Sequence, residues 1–256
     1  MAGTYVGVDW SAGSWLAVAF DGASFDHAAV FQEVGELWQR YEETASLILV
    51  DVPIGLQEGG GEGRRCDALA RAVLGAGDDA VVTPPVRKAT RKRRYPAAKR
   101  VNERKAERPL SERAFKLSDG IAAVDSLLRN VPEAKTTFRA SHPAVCFRAF
   151  AGEPLAHRRT TAAGYAERMR TLAGFDADAP PAVQATAEAT AGVDLAVADV
   201  LDAVVLAYTT RPAPGSLRTL PADPPLDPKG LPMEIVYRAS SPLVADDGSA
   251  SAAAEE

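Results

Sequence analysis

The chain has 256 residues, 46% of them hydrophobic and 25% charged, with a net charge of −5. That length suits one large domain or two small ones, with enough apolar side chains for a sizeable core. No run approaches the roughly 18 uninterrupted apolar residues of a membrane span. The start, Met1-Ala2-Gly3-Thr4-Tyr5, lacks the basic and apolar regions of a secretion signal, and Cys66 and Cys146 form no CxxC pair. A membrane span is not expected, nor are secretion, a disulfide framework or a zinc site built by the cysteines alone, and a reduced, cytoplasmic location is expected.

The first third reads as strands followed by a helix and a strand. Residues 4–9 (TYVGVD), 14–20 (SWLAVAF) and 24–31 (SFDHAAVF) are β-rich runs joined by short Gly, Ser and Asp links of hairpin type. Residues 33–43 place Val34, Leu37, Trp38 and Tyr41 on one helical face. Residues 46–52 (SLILVDV) are nearly all apolar, as a buried parallel strand requires. The pattern predicts an α/β fold, a three-strand meander leading into a parallel crossover.

After Pro53 the chain changes character. Residues 57–63 (QEGGGEG) read as a flexible loop; their glycines lack the Gly-Lys-Ser/Thr of a phosphate-cradling motif. Helices are predicted at 64–75, 111–128 (with Ser111 as N-cap), 161–172 and 195–208, and strands at 135–141 and 233–237. From Ser240 the sequence is small, acidic and poor in apolar residues, so 240–256 is expected to be a disordered tail. Residues 1–239 are expected to form the single domain.

Charge is unevenly placed. Between Pro84 and Ser118 stand thirteen Lys and Arg against Glu103, Glu107 and Glu112, so this basic insert carries +10 and the rest of the chain −15. Arg87, Lys88, Arg91, Lys92, Arg93, Arg94, Lys99 and Arg100 are the candidate contacts to a nucleic-acid backbone. A solvated loop balancing an acidic body is the other reading. Pro84-Pro85 and Pro96 predict that part of the insert is loop.

Two strands end on a lone carboxylate, Asp9 and Asp51. If these strands pair in parallel, both acids emerge at one sheet edge, where open α/β sheets bind ligands. A turn or capping aspartate is the alternative for Asp9. Asp199 and Asp202 share one face of an otherwise apolar helix. Asp199 suits either a helix cap or a metal-binding face; Asp202 lies deeper and favours the second. Three or four carboxylates fit a hard divalent cation, Mg²⁺ or Mn²⁺, and with the basic insert they predict a metal-dependent nuclease acting on phosphodiester bonds. DNA and RNA are not distinguished.

His142 before Pro143 is a candidate acid or base, or a packed turn residue. His27 and His157 read as surface residues. Asp67 with Arg64, Arg65 and Arg71 reads as an ion-pair cluster or a phosphate clamp. Ser11 has no triad partners in view. Trp15 and Trp38 read as core, and Trp10 as core or as a stacking surface for a base.

The chain resembles the DUF429 family, described as predicted nucleases with a ribonuclease H-like fold. The resemblance is carried by Val6-Gly7-Val8-Asp9-Trp10-Ser11, Val50-Asp51-Val52-Pro53-Ile54-Gly55-Leu56, Arg65-Cys66-Asp67-Ala68-Leu69-Ala70-Arg71, Thr83-Pro84-Pro85-Val86-Arg87, Ser141-His142-Pro143, Gly152-Glu153-Pro154-Leu155 and the Asp199 to Ala203 stretch, closing with Gly230 to Tyr237. It implies a five-stranded mixed sheet with the first strand central and helices on its faces. It also implies Asp9, Asp51 and Asp202 as metal ligands, with Asp199 as a possible fourth. Relatives often carry acids two residues before the histidine and directly after the proline, where this chain has Ala140 and Ala144. That departure motivates a second expectation, a catalytically silent nucleic-acid-binding protein of the same fold.

Overall fold

A computed structural model describes residues 3–11, 13–75 and 80–244. Strands β1 (Thr4–Ser11), β2 (Ser14–Asp21) and β3 (Ser24–Phe31) form an antiparallel meander, as their alternating apolar residues and short turns dictate. Helix α1 (Val34–Tyr41) follows, opened by the Glu36 carboxylate, which accepts the backbone N–H of Glu33 at 3.3 Å. Strand β4 (Ala45–Val50) then pairs in parallel with β1.

The middle of the chain is helical: α2 (Arg65–Leu74), α3 (Arg87–Thr90), α4 (Tyr95–Ala106), α5 (Glu112–Lys116), α6 (Ser118–Asn130) and α7 (Ala134–Thr137). The short strand β5 (Phe138–Ala140) pairs in parallel with β4 and completes a sheet ordered β3-β2-β1-β4-β5. Helices α8 (Pro143–Ala151), α9 (Ala162–Phe175), α10 (Ala179–Ala189) and α11 (Val197–Thr210) precede an antiparallel pair, β6 (Ser216–Leu220) and β7 (Ile235–Ala239).

Alternation along the strands splits the core in two. Val6, Val8, Ala17, Ala19, Ile48 and Val50 pack with apolar residues of α1 and α6 on one face. Leu16, Val18, Phe20, Leu47 and Leu49 pack on the other with α2, α8 and α11. Helix α11 is buried from Ala198 to Thr210, an apolar helix covered all round.

Several expectations are revised. The basic segment is part loop, as expected, at 84–86, 91–94 and 107–111. Pro96, expected to interrupt regular structure, instead stands in the first turn of α4, and the segment contributes small buried clusters, one of Val86, Ala89 and Ala106. The helix expected at 111–128 divides into α5 and α6 around Leu117, with Ser111 capping α5 through Ala114 N–H at 3.1 Å. The strand expected at 135–141 is half helix. Pro132 and Glu133 start a turn there, and Thr136 Oγ1 donates back to the Glu133 carbonyl at 2.8 Å. The strand near 233–237 lies outside the five-stranded sheet, paired with β6 and touching the sheet side through a Ser141–Val236 bridge. Within the expected tail, the Leu243 backbone N–H donates to Tyr237 Oη at 3.1 Å. The remainder of the expected tail, 245–256, lies outside the described residues. No helix among the described residues is long and apolar enough to cross a membrane.

Candidate active site

The parallel pairing of β1 with β4 sets Val8 opposite Val50, and the Asp51 backbone N–H donates to the Val8 carbonyl at 2.9 Å. Asp9 and Asp51 therefore leave neighbouring strands at the same edge. Gly7 brings the third element in. A Cβ on Gly7 would lie 2.0 Å from Ala207 N and 2.5 Å from the Ala203 carbonyl, so only glycine lets the α11 backbone rest on β1. Asp199 and Asp202 stand four residues before Ala203 and Leu206, about 6 Å back along the helix. Asp9 stands two residues beyond Gly7 on the same face, about 7 Å along the strand. The helix acids thereby arrive level with the strand acids.

This crowding shows in their protonation. Asp9 is buried, and its Oδ2 has no hydrogen-bond partner. Burial first, then repulsion from Asp51, Asp202 and Asp199, raises its carboxyl well above the usual range. Asp51 is raised by burial and by Asp202, and shares a hydrogen bond with Asp9. Asp202 is pushed up to about 6 by burial, against the pull of Arg159. Asp199 Oδ2 accepts Ser11 Oγ–H at 2.9 Å and the Ala196 backbone N–H at 3.1 Å, so this residue caps α11 as well as facing the cluster.

Arg159, between α8 and α9, is a residue that sequence reasoning missed. Its Nη1 donates to Asp202 Oδ2 and lies 3.7 Å from Asp199 Oδ1. Its partners are about forty residues away, and it stands in a segment with no periodicity, so no sequence signal marks it.

The four aspartates line one cleft of about 1180 Å³ with Trp10, Arg113, His142, Arg158, Arg159 and Arg168. Ala140 and Ala144 also line it, so the two positions where relatives carry acids do face the cleft. His142 caps α8, its Nδ1 accepting the Ala144 backbone N–H at 3.2 Å, which leaves the ring proton on Nε2. Trp10 lies over Gly120 of α6, where a Cβ would meet its ring at 2.6 Å, and its indole tilts against Trp15 at 6.0 Å between centroids. Trp15 and Trp38 are core residues.

The resemblance implies a divalent ion, and the donor set suits one. Carboxylate oxygens are the ligands of hard cations, and the unpartnered Asp9 Oδ2 is an atom such a cation would satisfy. In the present arrangement, no three His, Cys, Asp or Glu side chains among the described residues are placed to hold an ion. The Arg159 guanidinium is the cation in the cluster.

The basic segment needs one correction. Arg87 is buried: Nε donates to Asp125 Oδ1 at 3.0 Å, Nη2 to Asp227 Oδ2, and Nη1 to Glu58 Oε1 at 3.3 Å. A guanidinium satisfied by three carboxylates is a staple between the insert and the body, not a contact for nucleic acid. Lys88, Arg91, Arg93, Arg94 and Arg100 are exposed, Lys92 and Lys99 half-buried. None of these residues lines the cleft.

Arg64 and Asp67 resolve to the structural reading. They form a buried bidentate pair at 2.5 and 3.0 Å, and Arg64 Nη1 also holds the Ile54 carbonyl at 2.8 Å. Arg71 donates to the Val81 carbonyl at 3.1 Å. His27 stacks on Tyr41 and pairs with Asp26, and His157 is exposed. Burial raises the Cys66 thiol to about 12 and the Cys146 thiol to about 11.

Fold and cleft together define a mixed α/β protein with buried aspartates gathered at the sheet edge. A family model described as "Protein of unknown function (DUF429)" matches residues 7–226, and the chain belongs to that family. No curated protein and no solved structure matches it.

Proposed function

We propose that this chain is a metal-dependent nuclease of ribonuclease H-like fold that hydrolyses phosphodiester bonds of nucleic acid. The observation that carries the reading is the meeting of Asp9, Asp51, Asp199 and Asp202 in one cleft, with Asp9 Oδ2 buried and unpartnered. Burying like charges is costly, and a site that does so without a cation gains nothing in stability. The sheet order, with β1 central and β2 antiparallel to it, supports the fold assignment.

Asp9, Asp51 and Asp202 would hold Mg²⁺ or Mn²⁺, with Asp199 beside them. When bound, such a cation supplies Lewis acidity and water activation at a phosphodiester. His142 lines the cleft with Nδ1 engaged in the α8 cap, which would set it beside a bound phosphate rather than free its Nδ1 to act as a base. Arg158 on the cleft wall would neutralise phosphate, and Trp10 would stand beside a base. The exposed cations of 88–100 would hold more distant backbone.

The test is cleavage of DNA and RNA oligonucleotides with Mn²⁺ by the wild type and by Asp9→Asn. Loss of at least about a hundredfold in rate is expected on removing a metal ligand, and undiminished cleavage by the variant sinks the reading. Ala140 and Ala144 on the cleft wall favour a second reading, a binding protein without hydrolysis. It predicts salt-sensitive oligonucleotide binding that is indifferent to EDTA.

A further inference from the structure

We propose that Arg159 is a tethered counter-cation: it occupies the carboxylate cluster when no divalent ion is there, and its side chain must leave Asp202 before one enters. The inference rests on the cation-holding part of the proposed function and adds a residue that governs loading of the site.

Three observations support it. The guanidinium bonds Asp202 and lies 3.7 Å from Asp199, so its charge sits against both acids of α11. It also lowers the repulsion felt by Asp9 and Asp51, whose carboxyls both sense its charge. The side chain is nonetheless 48% exposed, so a path out to solvent is open.

The backbone beneath it is fixed. Glu167 of α9 accepts the N–H groups of Ala156 and His157 at 2.8 and 3.0 Å, and Arg168 Nη1 holds the His157 carbonyl at 3.1 Å. Thr161 returns its N–H and its hydroxyl to the Arg158 carbonyl at 3.1 and 2.9 Å. A Cβ on Gly164 would sit 2.0 Å from that carbonyl, so α9 clamps the loop at close range. With the chain held on both sides of Arg159, release is a rotamer change of one long side chain rather than movement of a lid. A planar guanidinium leaving a carboxylate is suited to a phosphate, which offers the same bidentate geometry. Substrate would then draw Arg159 outward and admit the ion in one linked step.

Calorimetric or EPR titration with Mn²⁺ alone tests this without any turnover, using wild type, Arg159→Ala and Arg159→Lys. Arg159→Ala is expected to bind Mn²⁺ at least tenfold more tightly than wild type. Arg159→Lys, which keeps the charge, should stay within threefold of wild type. Dimethyl phosphate, a minimal phosphodiester, should tighten Mn²⁺ binding to wild type by a larger factor than to Arg159→Ala. Less than a tenfold gain in Arg159→Ala overturns the role of Arg159 while leaving the metal reading intact. No Mn²⁺ binding by any of the three proteins, with or without dimethyl phosphate, overturns both.

Discussion

Replacing Asp202 with asparagine should make the protein more stable, and the size of the gain follows from the cleft. The buried carboxyl is raised from 3.8 to about 6, which corresponds to ~3 kcal/mol of folding free energy lost at neutral pH. The sign is that of an acid whose folded value exceeds its unfolded one. Below pH 3.8 both states are protonated and there is no cost; the cost grows between pH 4 and 6 and is complete above 6. The asparagine side chain would carry no charge to desolvate, and Asp9 and Asp51 would each lose a repelling neighbour, an effect of the same sign. Arg159 loses a partner, but half-exposed as it is, water compensates most of that loss. At roughly 2–4 °C per kcal/mol for a chain of this size, melting should rise by ~6–12 °C at pH 8 in EDTA. Thermal unfolding followed by circular dichroism at pH 4 and pH 8 reads both the gain and its pH dependence. An Asp202→Asn protein that melts no higher than wild type at pH 8, or whose gain is equal at pH 4, would refute the reasoning.

Three further outcomes follow from residues described above. Gly7→Ala places a Cβ against the α11 backbone, so helix and strand must part; a loss of ~3 kcal/mol or more in urea unfolding is expected, with weaker Mn²⁺ binding because Asp199 and Asp202 shift away from Asp9. Arg87→Met removes the cation bonded to buried Asp227 and one of three beside Asp125, which keeps Arg91 at 3.6 Å and Arg129 at 3.7 Å; it should cost about 3 kcal/mol, whereas Lys88→Met, on the exposed side, should leave the melting temperature unchanged. Changing Arg93 and Arg94 together to alanine should weaken oligonucleotide binding and flatten its dependence on log salt by up to about 0.7–0.9 per lost phosphate contact, without altering stability.

How far the sequence anticipates the site depends on what each residue's neighbours reveal. Asp9 and Asp51 end apolar runs, and Asp199 and Asp202 interrupt an apolar helix, so each is conspicuous by the cost of its own surroundings. That α11 would carry its acids to the level of Asp9 was not legible, because it depends on Gly7 letting two backbones touch. Arg87 looks in sequence like its basic neighbours and is buried in the fold; Asp125 and Asp227, which hold it, are 38 and 140 residues distant. The meander was readable from local turns and alternation. Strand β6 and the split of α5 from α6 were not, since they arise from pairing and packing with remote segments. A strand was expected from residue 135, yet a local bond from Thr136 to Glu133 holds the start of that run in a helical turn.

The two cysteines offer a practical opening. With thiols raised to about 12 and 11 and both side chains buried, Cys66 and Cys146 present almost no thiolate near neutral pH. Maleimide and methanethiosulfonate reagents should pass them by in the native protein. A single cysteine introduced at an exposed site such as Lys88 or Arg100 then becomes the one labelling position. Fluorescent or spin probes can be attached without first building a cysteine-free background. The approach of an oligonucleotide to the basic helices can in this way be followed as a distance, on the natural chain, one residue at a time.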